Sequence, residues 1–131
     1  MMGMATVGPS DGPTDPGESA PTVLFVDDEP EILEMYDLLC RTEYTVFTAD
    51  SAEEALRQFG DHIDIAFFDR RMPDMSGDEV ISSIRDQGFQ TPVGIISAVE
   101  RDSGPDIETD TYLTKPITRD ELFDAIEEHT S

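Results

Sequence analysis

From Thr22 onward the chain alternates short β-branched, apolar runs with stretches in which apolar residues recur every three or four positions. The runs are TVLFV (22–26), YTVFT (44–48), IDIAFF (63–68), PVGIIS (92–97) and TYLT (111–114), and each predicts a strand. Between them lie stripes at helical spacing: Ile32, Leu33, Tyr36, Leu39 and Cys40; Ala52, Ala55, Leu56 and Phe59; Val80, Ile81 and Ile84; and Leu122, Phe123 and Ile126. Three of these helices carry a capping-box pair at the start, Ser51 with Glu54, Ser76 with Glu79 and Thr118 with Glu121. In such a box, side chains satisfy amides of the first turn. The first helix has Pro30 in its opening turn instead, where a missing N–H costs nothing.

Strand and helix in regular alternation predict right-handed βαβ crossovers, hence an α/β fold with a five-stranded parallel sheet, doubly wound and covered on both faces. The near-continuous apolar strands agree with burial on both sides. One unit departs from the pattern. The stretch AVERDSGPDIETD, between the fourth and fifth strands, has no apolar stripe and is broken by Gly104 and Pro105, so the fourth helix is expected to be short or irregular. Residues 1–21, rich in Gly, Pro, Ser and Asp without hydrophobic period, read as a disordered N-terminal tail, leaving 22–131 as one domain.

Charge narrows the functional classes. The net charge is −22, from 30 acidic and 8 basic residues, which disfavours direct nucleic-acid binding and anionic membrane surfaces. The acids suit either a solvated surface in a salt-rich cytoplasm or a face that docks a basic partner. Their spread through every segment favours the first. A lone Cys40 excludes an intrachain disulfide and fits a reducing compartment. With no signal-peptide pattern and no apolar stretch long enough to span a bilayer, the expected location is cytoplasmic, without membrane insertion.

In doubly wound sheets, ligands bind beyond the carboxyl ends of the strands. There the sequence places Asp27, Asp28 and Glu29 after the first strand, Asp69 at the end of the third, Ser97 at the fourth and Lys115 after the fifth. Each has a plainer reading alone. Asp28 and Glu29 beside Pro30 suit a helix first turn, Asp69 could open a turn, Ser97 could cap a helix with Glu100, and Lys115 could be surface charge. Together they describe a site. Three carboxylates need compensation, Lys115 supplies one positive charge, and a hard divalent cation such as Mg²⁺ suits the remainder. Phosphoryl transfer to Asp69 fits this set, with Lys115 and the Ser97 hydroxyl meeting the phosphoryl oxygens. Lys115 is the sole lysine, and a compact ammonium on a flexible stem can meet a carboxylate and a phosphoryl oxygen at once.

With LFVDDEPEI, IAFFDRRMPDMSGDE, IISA and YLTKP in place, the chain resembles the CheY-like receiver domains of two-component response regulators, over Thr22 to about Thr130. The acidity and the DRRMPDMSGDE stretch make it similar to receivers of haloarchaea. The resemblance implies a flavodoxin-like (βα)5 fold and a signalling module rather than an enzyme. It implies that Asp69 accepts phosphate from a histidine kinase, that Asp27, Asp28, Asp69 and the main-chain carbonyl of Arg71 hold Mg²⁺, and that Ser97 and Tyr112 act as the switch pair. It further implies a cis bond before Pro116 that aims Lys115, a downstream protein target, and dimerisation on phosphorylation. Two alternatives stand beside it. One is a haloacid-dehalogenase-type phosphatase, although Arg71 occupies the place where that chemistry wants a second Asp. The other is a degenerate receiver used as a binding scaffold.

Overall fold

The computed structural model describes residues 20–70, 72, 75–98 and 109–130. Five strands, β1 (Thr22–Val26), β2 (Thr45–Ala49), β3 (Ile65–Asp69), β4 (Val93–Ser97) and β5 (Thr111–Thr114), form one parallel sheet in the order β2-β1-β3-β4-β5. The described helices are α1 (Pro30–Cys40), α2 (Ala52–Gln58), α3 (Gly77–Asp86) and α4 (Arg119–Thr130). The expected strands match to within one or two residues, and β1 and β5 match at both ends. The short or irregular fourth helix and residues 1–19 of the expected tail fall outside the described residues, while Pro21, placed in that tail, already accepts from the Thr45 N–H beside β1.

Side chains alternating along each strand build two cores. Val23, Phe25, Ile65 and Phe67 point to one face and pack with Leu33, Tyr36 and Cys40 of α1 and Leu122, Ala125 and Ile126 of α4. Leu24, Val26, Ala66 and Phe68 point to the other, against Ala52 and Ala55 of α2 and Val80, Ile81 and Ile84 of α3. Each fully buried Phe, Leu or Ile contributes roughly 1.5–3 kcal/mol of transfer free energy. This two-sided burial is why the strands are apolar throughout rather than alternating.

Local chemistry sets the helix ends. Ser76 with Glu79 and Thr118 with Glu121 form full reciprocal capping boxes. At α2 only half the expected box appears. Ser51 Oγ accepts from the Glu54 N–H, while the Glu54 carboxylate accepts from Arg57 and Gln58 one turn on. Helix α3 stops at a Schellman motif, with Gly88 at φ +95°, its N–H bonded to Arg85 O and the Phe89 N–H to Ile84 O. An L side chain at residue 88 would be strained there.

Cys40, fully buried at the end of α1, carries a chemical consequence. Burial pushes its thiol up from 9.0 to about 12, with Arg119 pulling the other way more weakly. The fold holds the neutral thiol, so this contribution is complete below pH 9.0 and is lost as pH rises toward about 12. We expect the native protein to resist thiol reagents at neutral pH, and its melting temperature to fall across that alkaline window. Cys40→Ala should flatten part of the fall, and an equally steep decline in that variant would contradict the assignment.

Candidate functional site

Strand order reverses direction between β1 and β3, and the acids of the sequence meet at that point. Asp27 follows β1. Its N–H donates to Ala49 O on β2, and its Oδ1 accepts from the Glu29 N–H, so backbone and side chain are each held, and the residue is 1% exposed. Asp28 is exposed at the start of α1, and Asp69 closes β3, part-buried. One carboxylate oxygen from each of the three lies within 4.8 Å of the other two.

Lys115 reaches the same place from β5. Its Nζ stands 3.6 Å from Asp27 Oδ2 and 3.6 Å from Asp69 Oδ1, bridging two of the three acids as a close ion contact. Its backbone is fixed by the Lys115 N–H donating to Ser97 O at 2.8 Å and by a cis peptide to Pro116. Ser97 ends β4 and is buried. Tyr112 sits half-buried on β5, beside Ile95 in the sheet register. The structure therefore gathers Asp27, Asp28, Asp69 and Lys115, with Ser97 and Tyr112 on the adjoining strands. Arg71, expected to offer its carbonyl, lies outside the described residues. The collected negative charge is felt beyond the cluster. Tyr36 is pushed well above its ordinary range, first by burial and then by Asp27, Asp69 and Glu29.

Two residues that the sequence reading passed over adjoin the site. Arg70, 7% exposed, donates through Nη2 to Asp78 Oδ2 at 3.1 Å and through Nη1 to the Tyr112 hydroxyl oxygen at 3.0 Å. Its backbone is pinned by the Arg70 N–H to Ile96 O and by the Gly77 N–H to Arg70 O. Asp78 in the first turn of α3 is 8% exposed, and its Oδ1 has no hydrogen-bond partner among the described residues. The available signal was a carboxylate two residues before Val80 and three before Ile81, next to an apolar stripe, which reads equally well as first-turn charge.

The family model of the response regulator receiver domain matches residues 23–127, and the chain belongs to that family. Over 112 residues it is 36% identical to a Haloferax volcanii protein described as a transcriptional regulator, covering 81% of this chain and 19% of that one. Over 108 residues it is 34% identical to the cell cycle response regulator CtrA of Brucella ovis, covering 77% of this chain and 46% of the relative. The chain thus spans less than half the length of these curated relatives. Among solved structures, the Thermotoga maritima response regulator TrrA, in complex with Mg²⁺ and a beryllium fluoride, superposes with a TM-score of 0.75 at 32% identity, covering 82% of this chain and 97% of that one. Receiver domains are signalling modules that histidine kinases phosphorylate and that relay to downstream effectors, with Mg²⁺ held in an acidic pocket. This membership displaces the phosphatase alternative. No described helix is long and apolar enough to cross a membrane.

Proposed function

We propose that residues 22–131 form a phosphorylation-controlled switch in which Asp69 accepts a phosphoryl group from the phosphohistidine of a sensor kinase, with residues 1–21 a tail without a role in that chemistry. The observation that supports this most directly is the bridge of Lys115 between Asp27 and Asp69, beside a third carboxylate. Three carboxylates against one ammonium leave about two negative charges, a deficit that suits a hard divalent cation with oxygen ligands. Asp27, Asp28 and Asp69 are the residues that would hold Mg²⁺, with the Arg71 carbonyl as a further ligand. When bound, the metal neutralises charge on the transferring group.

The side chains supply the remaining steps. An Asp69 carboxylate oxygen attacks phosphorus, an O–P bond forms, and the N–P bond of the donor breaks, leaving the histidine ring with its electron pair. Lys115 moves with little cost from a carboxylate oxygen to a phosphoryl oxygen. Ser97 turns its hydroxyl toward the same group, and Tyr112 follows inward, carrying the change to the β4–β5 side of the domain, where a downstream protein target would read it and phosphorylated chains would pair. The location would be cytoplasmic. The spread of acids and the Haloferax relative support a halophilic setting.

Incubation with acetyl phosphate and Mg²⁺ should add one phosphoryl mass to the intact chain, and chelation of the metal should suppress the uptake by a hundredfold or more, on the order of a lost metal contribution to phosphoryl transfer. A chain labelled equally well in the presence of chelator, or not labelled at all by acetyl phosphate or a kinase, would overturn the reading.

A further inference from the structure

Arg70 and Asp78 are both more than nine-tenths buried, and neither takes part in the carboxylate cluster. A buried ion pair is weak evidence for stability, because desolvating both charges offsets much of their attraction. Its geometry is more informative. Arginine keeps its charge at any pH the fold survives and holds its donors in a rigid fork. One arm of that fork is spent on Asp78 Oδ2, on α3, and the other on the hydroxyl of Tyr112, on β5. The base of the side chain cannot drift, because both backbone groups of Arg70 are bonded, to Ile96 on β4 and to Gly77 at the start of α3. Asp69, the proposed phosphoacceptor, is the preceding residue. Tyr112 is part-buried, with its hydroxyl oxygen on this guanidinium.

We propose that Arg70 is a positioning residue that latches the Tyr112 hydroxyl, with Asp78 as its buried anchor, so that inward travel of Tyr112 requires breaking one charge-assisted hydrogen bond. The latch sets how much phosphorylation, or a phosphoryl mimic, is needed to switch the domain. It rests on the reading of Asp69 and Tyr112 given above. Lysine in place of Arg70 would keep a charge for Asp78 but could not span both partners with a planar fork.

The test uses the chain labelled with 3-fluorotyrosine and followed by ¹⁹F NMR, in which the Tyr112 resonance is assigned by its loss in Tyr112→Phe. Two variants that respect the buried charge are compared with the parent: Arg70→Lys, and the paired Arg70→Met with Asp78→Leu, which replaces the ion pair by apolar groups and leaves no orphaned charge. Without beryllofluoride, both should move the Tyr112 resonance and leave those of Tyr36 and Tyr44 in place. On titration with beryllofluoride and Mg²⁺, the half-conversion concentration should fall about tenfold in both, the loss of one hydrogen bond to a charged group. Tyr112→Phe should shift the conversion of the backbone spectrum by a similar factor, and adding Arg70→Lys to it should change nothing further. A Tyr112 resonance unmoved in both variants, or midpoints equal to the parent's, would overturn the latch. A parent chain that never responds to beryllofluoride would overturn the switch and the latch's regulatory role together, while the resonance before titration still reports whether Arg70 holds Tyr112.

Discussion

Asp69→Asn is expected to take up no phosphoryl group from any donor, and to melt at a higher temperature than the parent in low salt without divalent cation. The first outcome follows from chemistry, since an amide oxygen does not attack phosphorus as a carboxylate does. The second follows from electrostatics. Three carboxylates share a space in which their oxygens lie within 4.8 Å, and Lys115 compensates only part of the charge. Removing one acid relieves like-charge repulsion and leaves Lys115 its contact with the more deeply buried Asp27. Intact-mass spectrometry reads the first and a thermal melt the second. Label remaining on the variant would move the phosphoacceptor elsewhere, and a lowered melting temperature would mean that Asp69 stabilises the fold rather than straining it.

Gly77→Ala should damage both the fold and phosphoryl uptake, although helix propensity alone favours alanine at this position by about 1 kcal/mol. A Cβ on residue 77 would stand 2.6 Å from the Asp69 carbonyl oxygen and 3.3 Å from the Arg70 Cα, with Ile95 Cδ1 at 3.2 Å. The first two are backbone atoms that cannot rotate aside, so either α3 or the end of β3 must move, and the carbonyl of Arg70 would lose its bond from the Gly77 N–H. Overpacking of this kind costs about 1–3 kcal/mol. We expect a net loss of up to about 2 kcal/mol in chemical denaturation, together with slower labelling of Asp69, because the displaced backbone atoms belong to the proposed phosphoacceptor and the residue after it. Gly60 is a useful contrast. The nearest atoms to a Cβ there belong to the His62 ring, at 3.1 and 3.2 Å, and a side chain can give way. Denaturation midpoints of the two alanine variants that coincide would refute the steric account of Gly77.

The sheet was legible because parallel strands covered on both faces leave unbroken apolar runs, and TVLFV and TYLT mark β1 and β5 residue for residue. The meeting of Asp27, Asp28, Asp69 and Lys115 was legible for a topological reason: βαβ crossovers bring successive strand ends to one edge, so order in the sequence becomes proximity in space. What escaped was lateral. Whether the Asp78 carboxylate faces solvent or the β3 end depends on where the Arg70 side chain goes, and no periodicity along the chain encodes that choice. Glu54 illustrates the same limit on a smaller scale. Its spacing from Ser51 suits a capping box, yet Arg57 and Gln58 compete for its carboxylate one turn further on. Local rules give the candidates for a contact, and neighbours decide among them.

Lys115 is the one lysine in the sequence, and its side chain is 27% exposed at the mouth of the acidic cluster. Amine-reactive reagents therefore have a single side-chain address in this chain, and that address is the proposed phosphorylation site. Acylation there would cancel the positive charge that Asp27 and Asp69 share, so a modification that elsewhere decorates surfaces at random would here become a titration of the centre itself, its progress countable by mass and its protection a direct measure of what occupies the pocket.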